Sequence, residues 1–285
     1  MIVCADDYGL SPGVNQGILE LVRERRITAV SCMTIYDSCE ADLEALRPGR
    51  ADMDIGLHVV LTRGRPVSSV PGPAGLVNSR GHFHEFPEFV SGCLTGRMSR
   101  EALSREVRAQ LERFVRVMGE YPDFIDGHQH VQQLPGVRDV VIELAREIRR
   151  AKPRFYVRLS SPPVRDIFLR GFPARPGLCL GNLAVNWPGR SFRRMLDASG
   201  IAHNGHLLGY HAYERAADFP DILRFYLSLR PAANDIFFCH PGYVDDDLRQ
   251  RDDVVRSRIR VLACLRSPEY LSALNESGVE LNRFV

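Results

Sequence analysis

Short apolar runs with strand character alternate with helical patterns along this chain, and that order constrains the fold more than any other feature. Ile2–Ala5, Ala29–Met33, Ile55–Leu61, Phe124–Asp126, Phe155–Leu159 and Asp235–Cys239 read as strands. Val14–Arg25 reads as a helix with Ile18, Leu21 and Val22 on one face. Ser99 caps a second helix running to Met118, striped by Leu103, Val107, Leu111, Phe114 and Met118. A third spans Val137–Arg149, and two more lie near Val254–Leu265 and Pro268–Ser277, before a terminal strand at Val279–Phe284. Strand–helix–strand order predicts an α/β fold with a parallel sheet, open or closed into a barrel. With no internal repeat, linker or compositional break, residues 1–285 read as a single domain.

The first strand ends in Ala5-Asp6-Asp7-Tyr8-Gly9. Two carboxylates at the end of an apolar strand need a partner or a metal. Successive strand side chains point to opposite faces, so both serve one site only if the pleat breaks beneath them. Gly9 and Pro12 make such a break plausible.

Three histidines also follow short apolar runs: His58 in Gly56-Leu57-His58-Val59, His128 in Asp126-Gly127-His128-Gln129-His130, and His240 in Cys239-His240-Pro241-Gly242. Parallel α/β folds gather the carboxyl ends of their strands on one face, where active sites are built. One Asp and two His suit Zn²⁺, Mn²⁺, Fe²⁺ or Co²⁺ with positions left open. The other Asp then serves as general base and His240 as the acid that protonates a leaving group. His128 and His130 share a face if their segment stays extended. His203 and His206 have helical ligand spacing, but Gly200 and Gly205 argue against a helix there. Cys239 and Cys4 are expected to pack in a layer behind the site, not to act as nucleophiles.

The net charge of +2 implies no nucleic-acid or membrane field, and no apolar run is long enough to span a bilayer. The seven cysteines are odd in number, scattered and without a Cys-x-x-Cys, which fits reduced thiols and a cytoplasmic protein. The absence of a glycine-rich phosphate loop counts against a nucleotide enzyme.

Together, Cys4–Gly13, Ile55–Leu61, Phe124–Val131 and Cys239–Asp245 resemble the YdjC-like carbohydrate deacetylases, a group that includes chitooligosaccharide deacetylases. The resemblance implies a distorted (β/α) barrel and one divalent metal ion, Mg²⁺ or Zn²⁺. It implies Asp7, His58 and His128 as ligands, Asp6 as base and His240 as acid. His130, Arg158 and Asp126 are the expected substrate contacts, with Arg158 also a candidate to orient the base. The implied reaction is removal of an N-acetyl group from an amino sugar, a chitooligosaccharide or other GlcNAc-bearing glycoconjugate, with a homodimer as the family-based expectation. The chain departs from the family at Cys4, where Asn is common, at Tyr8, where Phe is commoner, and at Gln132, where many relatives carry His.

A metal-dependent phosphoesterase on the same barrel and a non-catalytic carbohydrate-binding protein are the alternatives. The loop 62–97 and the segment 160–215 are expected to shape the pocket. Trp187, Tyr210 and Tyr213 are candidates to stack on a sugar ring or to pack in the core.

Overall fold

The computed structural model describes residues 1–68, 75–165, 167, 188–210 and 219–285. Eight strands form one all-parallel sheet: β1 Ile2–Tyr8, β2 Ala29–Cys32, β3 Asp54–Val59, β4 Phe124–Gly127, β5 Tyr156–Val157, β6 Ala202–His203, β7 Leu207–Leu208 and β8 Ile236–Cys239. The order across the sheet is β6-β5-β4-β3-β2-β1-β8-β7. Strands β1 to β4 and β8 are buried along their whole length, as expected of parallel strands covered on both faces.

The sheet curls, and β7 and the end of β6 meet the segment that follows β5. Leu207 N donates to Ser161 O at 3.0 Å. Fully buried Asn204 accepts from Leu159 N through Oδ1 at 2.7 Å and donates from Nδ2 to Leu159 O at 3.0 Å. A carboxamide thus takes the place of a ladder pair at the seam of a distorted barrel. Ile2, Cys4, Phe124, Tyr156, Tyr210 and Phe238 fill the interior, and a larger apolar layer lies between sheet and helices.

The helices start where local chemistry dictates. Ser11 caps α1 (Pro12–Arg23), accepting from Val14 N, with proline in the first turn. Ser99 caps α4 (Arg100–Met118) in the same way, and Gly119 ends it in the left-handed conformation. Between these lie α2 (Cys39–Leu46) and α3 (Phe86–Leu94). Beyond α5 (Val137–Ala151) come α6 (Phe219–Ser228), α7 (Asp246–Arg251), α8 (Arg256–Arg266) and α9 (Pro268–Ser277). A further helical stretch covers 188–198.

Two expectations change. Val279–Phe284 is irregular, not a strand: Asn282 N donates to Met1 O, and Phe284 N donates to the Asp54 carboxylate. The Phe284 ring stacks on Tyr156 at 3.9 Å, at the opposite end of the strands from the site. The long loop after β3 ends at α3 and is anchored from below. Glu106 of α4, fully buried, accepts from Val67 N and Ser68 N at 3.0 and 2.9 Å. No helix among the described residues is long and apolar enough to cross a membrane.

Candidate metal centre

The pleat of β1 breaks at the two carboxylates. Ala5 pairs with Val30 and Tyr8 with Cys32, so β1 spends one residue more than β2 over that stretch. Asp7 holds the left-handed conformation, at φ 68°, which Asp tolerates better than most residues. Gly9 follows at φ 95°, and its N–H donates to Asn15 Oδ1 at 2.6 Å. The bulge brings neighbouring side chains to one polar centre at the carboxyl ends of the strands.

Around Asp7 stand His58, from the end of β3, and His128, which follows β4. His58 Nε2 lies 3.3 Å from Asp7 Oδ1 and His128 Nδ1 lies 3.2 Å from the same oxygen. The three ligand atoms are within 4.8 Å of one another, a convergence that suits a single cation. On its other side the His58 ring meets Asp126: Nδ1 is 2.7 Å from Oδ1, which also accepts from Ser31 Oγ at 2.6 Å. A carboxylate only accepts, so His58 Nδ1 carries a proton toward Asp126, and Nε2, which faces Asp7, is the nitrogen that would take a cation once its own proton leaves. Two imidazoles and one carboxylate, with the carboxylate behind one imidazole, fit a borderline divalent ion.

The centre's charges perturb one another. Burial alone would push the Asp7 carboxyl up. Arg258, His240 and hydrogen bonds from His128 and His58 outweigh it and hold Asp7 well below the usual carboxylate range. Burial would likewise lower His58, but Asp126, Asp7 and Asp6 push it up to about 10.

Asp6 has a separate anchor. Arg158, just past β5 and fully buried, donates from Nη1 and Nη2 to the two Asp6 oxygens at 2.6 and 2.7 Å. Its Nη2 also pairs with Asp126 Oδ2 at 2.7 Å. Asp126 and Arg158 are both completely buried and lie beneath the cluster, turned to other protein groups. An Asp6 oxygen stands within 4.8 Å of a His58 nitrogen. Burial raises the Asp6 carboxyl even against the Arg158 charge, which leaves it a better proton acceptor than an exposed carboxylate.

His240, just past β8 and 15% exposed, has Nε2 3.8 Å from Asp7 Oδ2. Its ring and that of His130 each meet the Phe238 ring edge-on at 5.5 Å. The segment after β4 is not extended. Residues 128–133 form a 3-10 turn in which Gln129 and His130 are both left-handed, at φ 54° and 61°. His128 and His130 therefore part: the first meets Asp7, while His130 Nδ1 lies 2.9 Å from Ser160 Oγ beside the Tyr210 ring. Burial, then the nearby Arg158, lowers His130 to about 3.

The cysteines also part. Cys239 packs in the layer outside the sheet. Cys4 instead points into the barrel, its Sγ 3.4 Å from Asp6 Oδ1. His203 and His206 pair with Asp197 and Asp235, away from the centre. Trp187 and Tyr213 lie outside the described residues.

Two participants carry no motif. Ser31, on β2, supports Asp126. Arg258, on α8 and fully buried, donates from Nη2 to Asp7 Oδ2 at 2.7 Å. Two buried carboxylates in sequence imply two buried cations, but that signal does not say which arginines supply them.

Fold and centre together define an α/β barrel protein with a preorganised Asp–His–His cluster at the carboxyl ends of its strands. The chain belongs to the YdjC-like protein family, whose model matches residues 1–276. It is 30% identical over 283 residues to a carbohydrate deacetylase of Geobacillus stearothermophilus, covering 98% of this chain and 94% of that protein. It is 26% identical over 294 residues to a chitooligosaccharide deacetylase of Yersinia pestis (strain Pestoides F), covering 100% and 98%. A crystal structure from Enterococcus faecalis V583, of a protein provisionally named for cellobiose-phosphate cleavage, has the same fold. It superposes with a TM-score of 0.77 at 22% identity, covering 99% of this chain and 96% of that one.

Proposed function

We propose that this protein is a metal-dependent hydrolase that removes an N-acetyl group from an N-acetylated amino sugar. The observation that carries this reading is the meeting of Asp7 Oδ1, His58 Nε2 and His128 Nδ1, with Asp6 and His240 beside them. The deacetylase names of full-length relatives supply the substrate class.

Asp7, His58 and His128 would hold the ion; the imidazole pair favours Zn²⁺, with Mg²⁺ the alternative. A divalent ion bound there would supply a lowered pKa for a water and polarisation of the acetamide carbonyl. Asp6 accepts the proton of the attacking water, and Arg158 keeps its carboxylate in one orientation. His240 donates a proton to the departing sugar amine, so that acetate and a free amine leave. His130, which meets the Phe238 ring as His240 does, would be the contact to a sugar hydroxyl. Arg158 and Asp126 act through Asp6 and His58 instead of on the sugar itself. A phosphoesterase would need cations facing the substrate, whereas Arg158 and Arg258 are buried and occupied by carboxylates.

The test is acetate release from N-acetyl chitooligosaccharides, GlcNAc-bearing glycoconjugates and nucleotide sugars, with metal-stripped protein before and after Zn²⁺ or Mg²⁺ is added. Release that depends on added metal supports the reading. Hydrolysis confined to phosphate esters, or sugar binding without acetate release, would overturn it.

A further inference from the structure

We propose that Arg258 is a positioning residue for metal ligation: it holds Asp7 Oδ2, so that Asp7 presents Oδ1 alone to a divalent cation. This rests on the metal reading above and concerns a residue outside every motif. The two oxygens of Asp7 face different partners. Oδ1 is turned to His58 Nε2 and His128 Nδ1, while Oδ2 accepts from Arg258 Nη2 at 2.7 Å. For the carboxylate to chelate with both oxygens, a charge-assisted hydrogen bond between two fully buried side chains would have to break. Ligation through one oxygen leaves more of the cation's positions to water and substrate.

Arg258 is itself held on three sides. Its Nε donates to Val254 O at 2.7 Å, and its Nη2 is shared with Asp252 Oδ2 at 2.8 Å. Its carbonyl accepts from Gly242 N at 3.3 Å, tying it to the turn that carries His240. A fully buried positive charge beside a cation site also opposes the cation with little screening. Arg258 therefore loosens the metal as it orients its ligand, and Asp252 sets how much of the guanidinium's charge reaches Asp7.

Zn²⁺ titration calorimetry on the metal-stripped full chain tests this by sign. Arg258→Gln, which takes a buried positive charge away from the cation, is expected to bind Zn²⁺ about tenfold tighter than wild type, while kcat for acetate release falls. Asp252→Asn, which leaves the guanidinium charge to Asp7 and the cation, is expected to bind Zn²⁺ roughly several-fold more weakly. A residue that merely tied α8 to β1 would weaken Zn²⁺ binding when removed. Equal or weaker binding by folded Arg258→Gln overturns the proposal. Should that variant not fold, Asp252→Asn decides, and unchanged or tighter binding there overturns it. Wild-type protein that takes up no Zn²⁺ overturns the metal reading and this proposal with it. Wild-type binding that neither substitution alters overturns this proposal alone.

Discussion

His58 Nδ1 stands 2.7 Å from Asp126 Oδ1, and that contact turns the opposite ring nitrogen, Nε2, toward Asp7. Asp126 thereby selects the tautomer of one candidate ligand without touching the cation position. Asp126→Asn places an amide where the carboxylate accepts, so the His58 proton is no longer held at Nδ1. The expected result is a loss of about 10- to 100-fold in Zn²⁺ affinity. Calorimetric titration of metal-stripped protein checks it, with circular dichroism to confirm the fold. Wild-type affinity in this variant would remove Asp126 from the account.

Metal-stripped protein should lose stability as pH rises. The His58 pKa is about 10 in the folded state, against about 6.5 in an unfolded chain. Between those values the folded state holds a proton that the unfolded state does not. Its contribution is therefore complete below about 6.5 and is lost as pH rises toward 10, by at most about 1.4 kcal/mol per pH unit. The buried thiols, raised by burial, add to the loss only above their unfolded range near 8.5. Between pH 6.5 and 8.5 the Met1 amine, lowered by burial, contributes with the opposite sign, so the histidine's share is read in urea unfolding as the difference between wild type and His58→Gln. The slope should be present in wild type and flattened in His58→Gln; equal slopes would contradict the assignment.

The two adjacent carboxylates should fail in different ways. Asp7→Asn removes the negative charge shared by His58, His128 and Arg258, and metal uptake should drop sharply. Asp6→Asn leaves that set intact, so the protein should keep its metal while its turnover falls by about 100-fold or more, the usual scale of a general base. Elemental analysis and acetate-release kinetics on the same samples separate the two. The reverse pattern would exchange the roles.

How much of this was legible in the sequence differs from residue to residue. The strands carrying Asp6, Asp7 and His58 are apolar runs bounded by turn residues, and their burial on both faces leaves a plain signature. The break at Asp7 was foreshadowed by Gly9. His130 was not so readable: alternation assumes an extended backbone, and nothing in Gln129-His130 announces two consecutive left-handed residues. Arg258 lies 251 positions from the carboxylate it holds, on a helix that also carries Arg256, Arg260 and Arg266. Helical periodicity does not reveal which of these turns to a buried acid. Val279–Phe284 has strand-like composition, but its backbone N–H groups include donors to the Leu274 and Met1 carbonyls and to the Asp54 carboxylate instead of a neighbouring strand.

The bulge that turns Asp7 can be tested without altering any polar group of the centre. A Cβ on Gly9 would lie 2.7 Å from the Met33 carbonyl oxygen, at a φ of 95° that L residues avoid. Met33 N also donates to Tyr8 O at 2.7 Å, so relief of the clash must move the end of β1 away from β2. Gly9→Ala should therefore cost roughly 2–4 kcal/mol, from overpacking and left-handed strain together. It should also weaken Zn²⁺ binding, because Asp7 moves with the strand end. Gly81→Ala is the control: its φ is 73°, but a Cβ there meets nothing within 4 Å. That change should cost only about 1–2 kcal/mol of backbone strain and leave Zn²⁺ affinity as it was. If both variants lose stability and neither loses affinity, the bulge does not set the geometry of the ligand, and Asp7 is positioned by its side-chain partners alone.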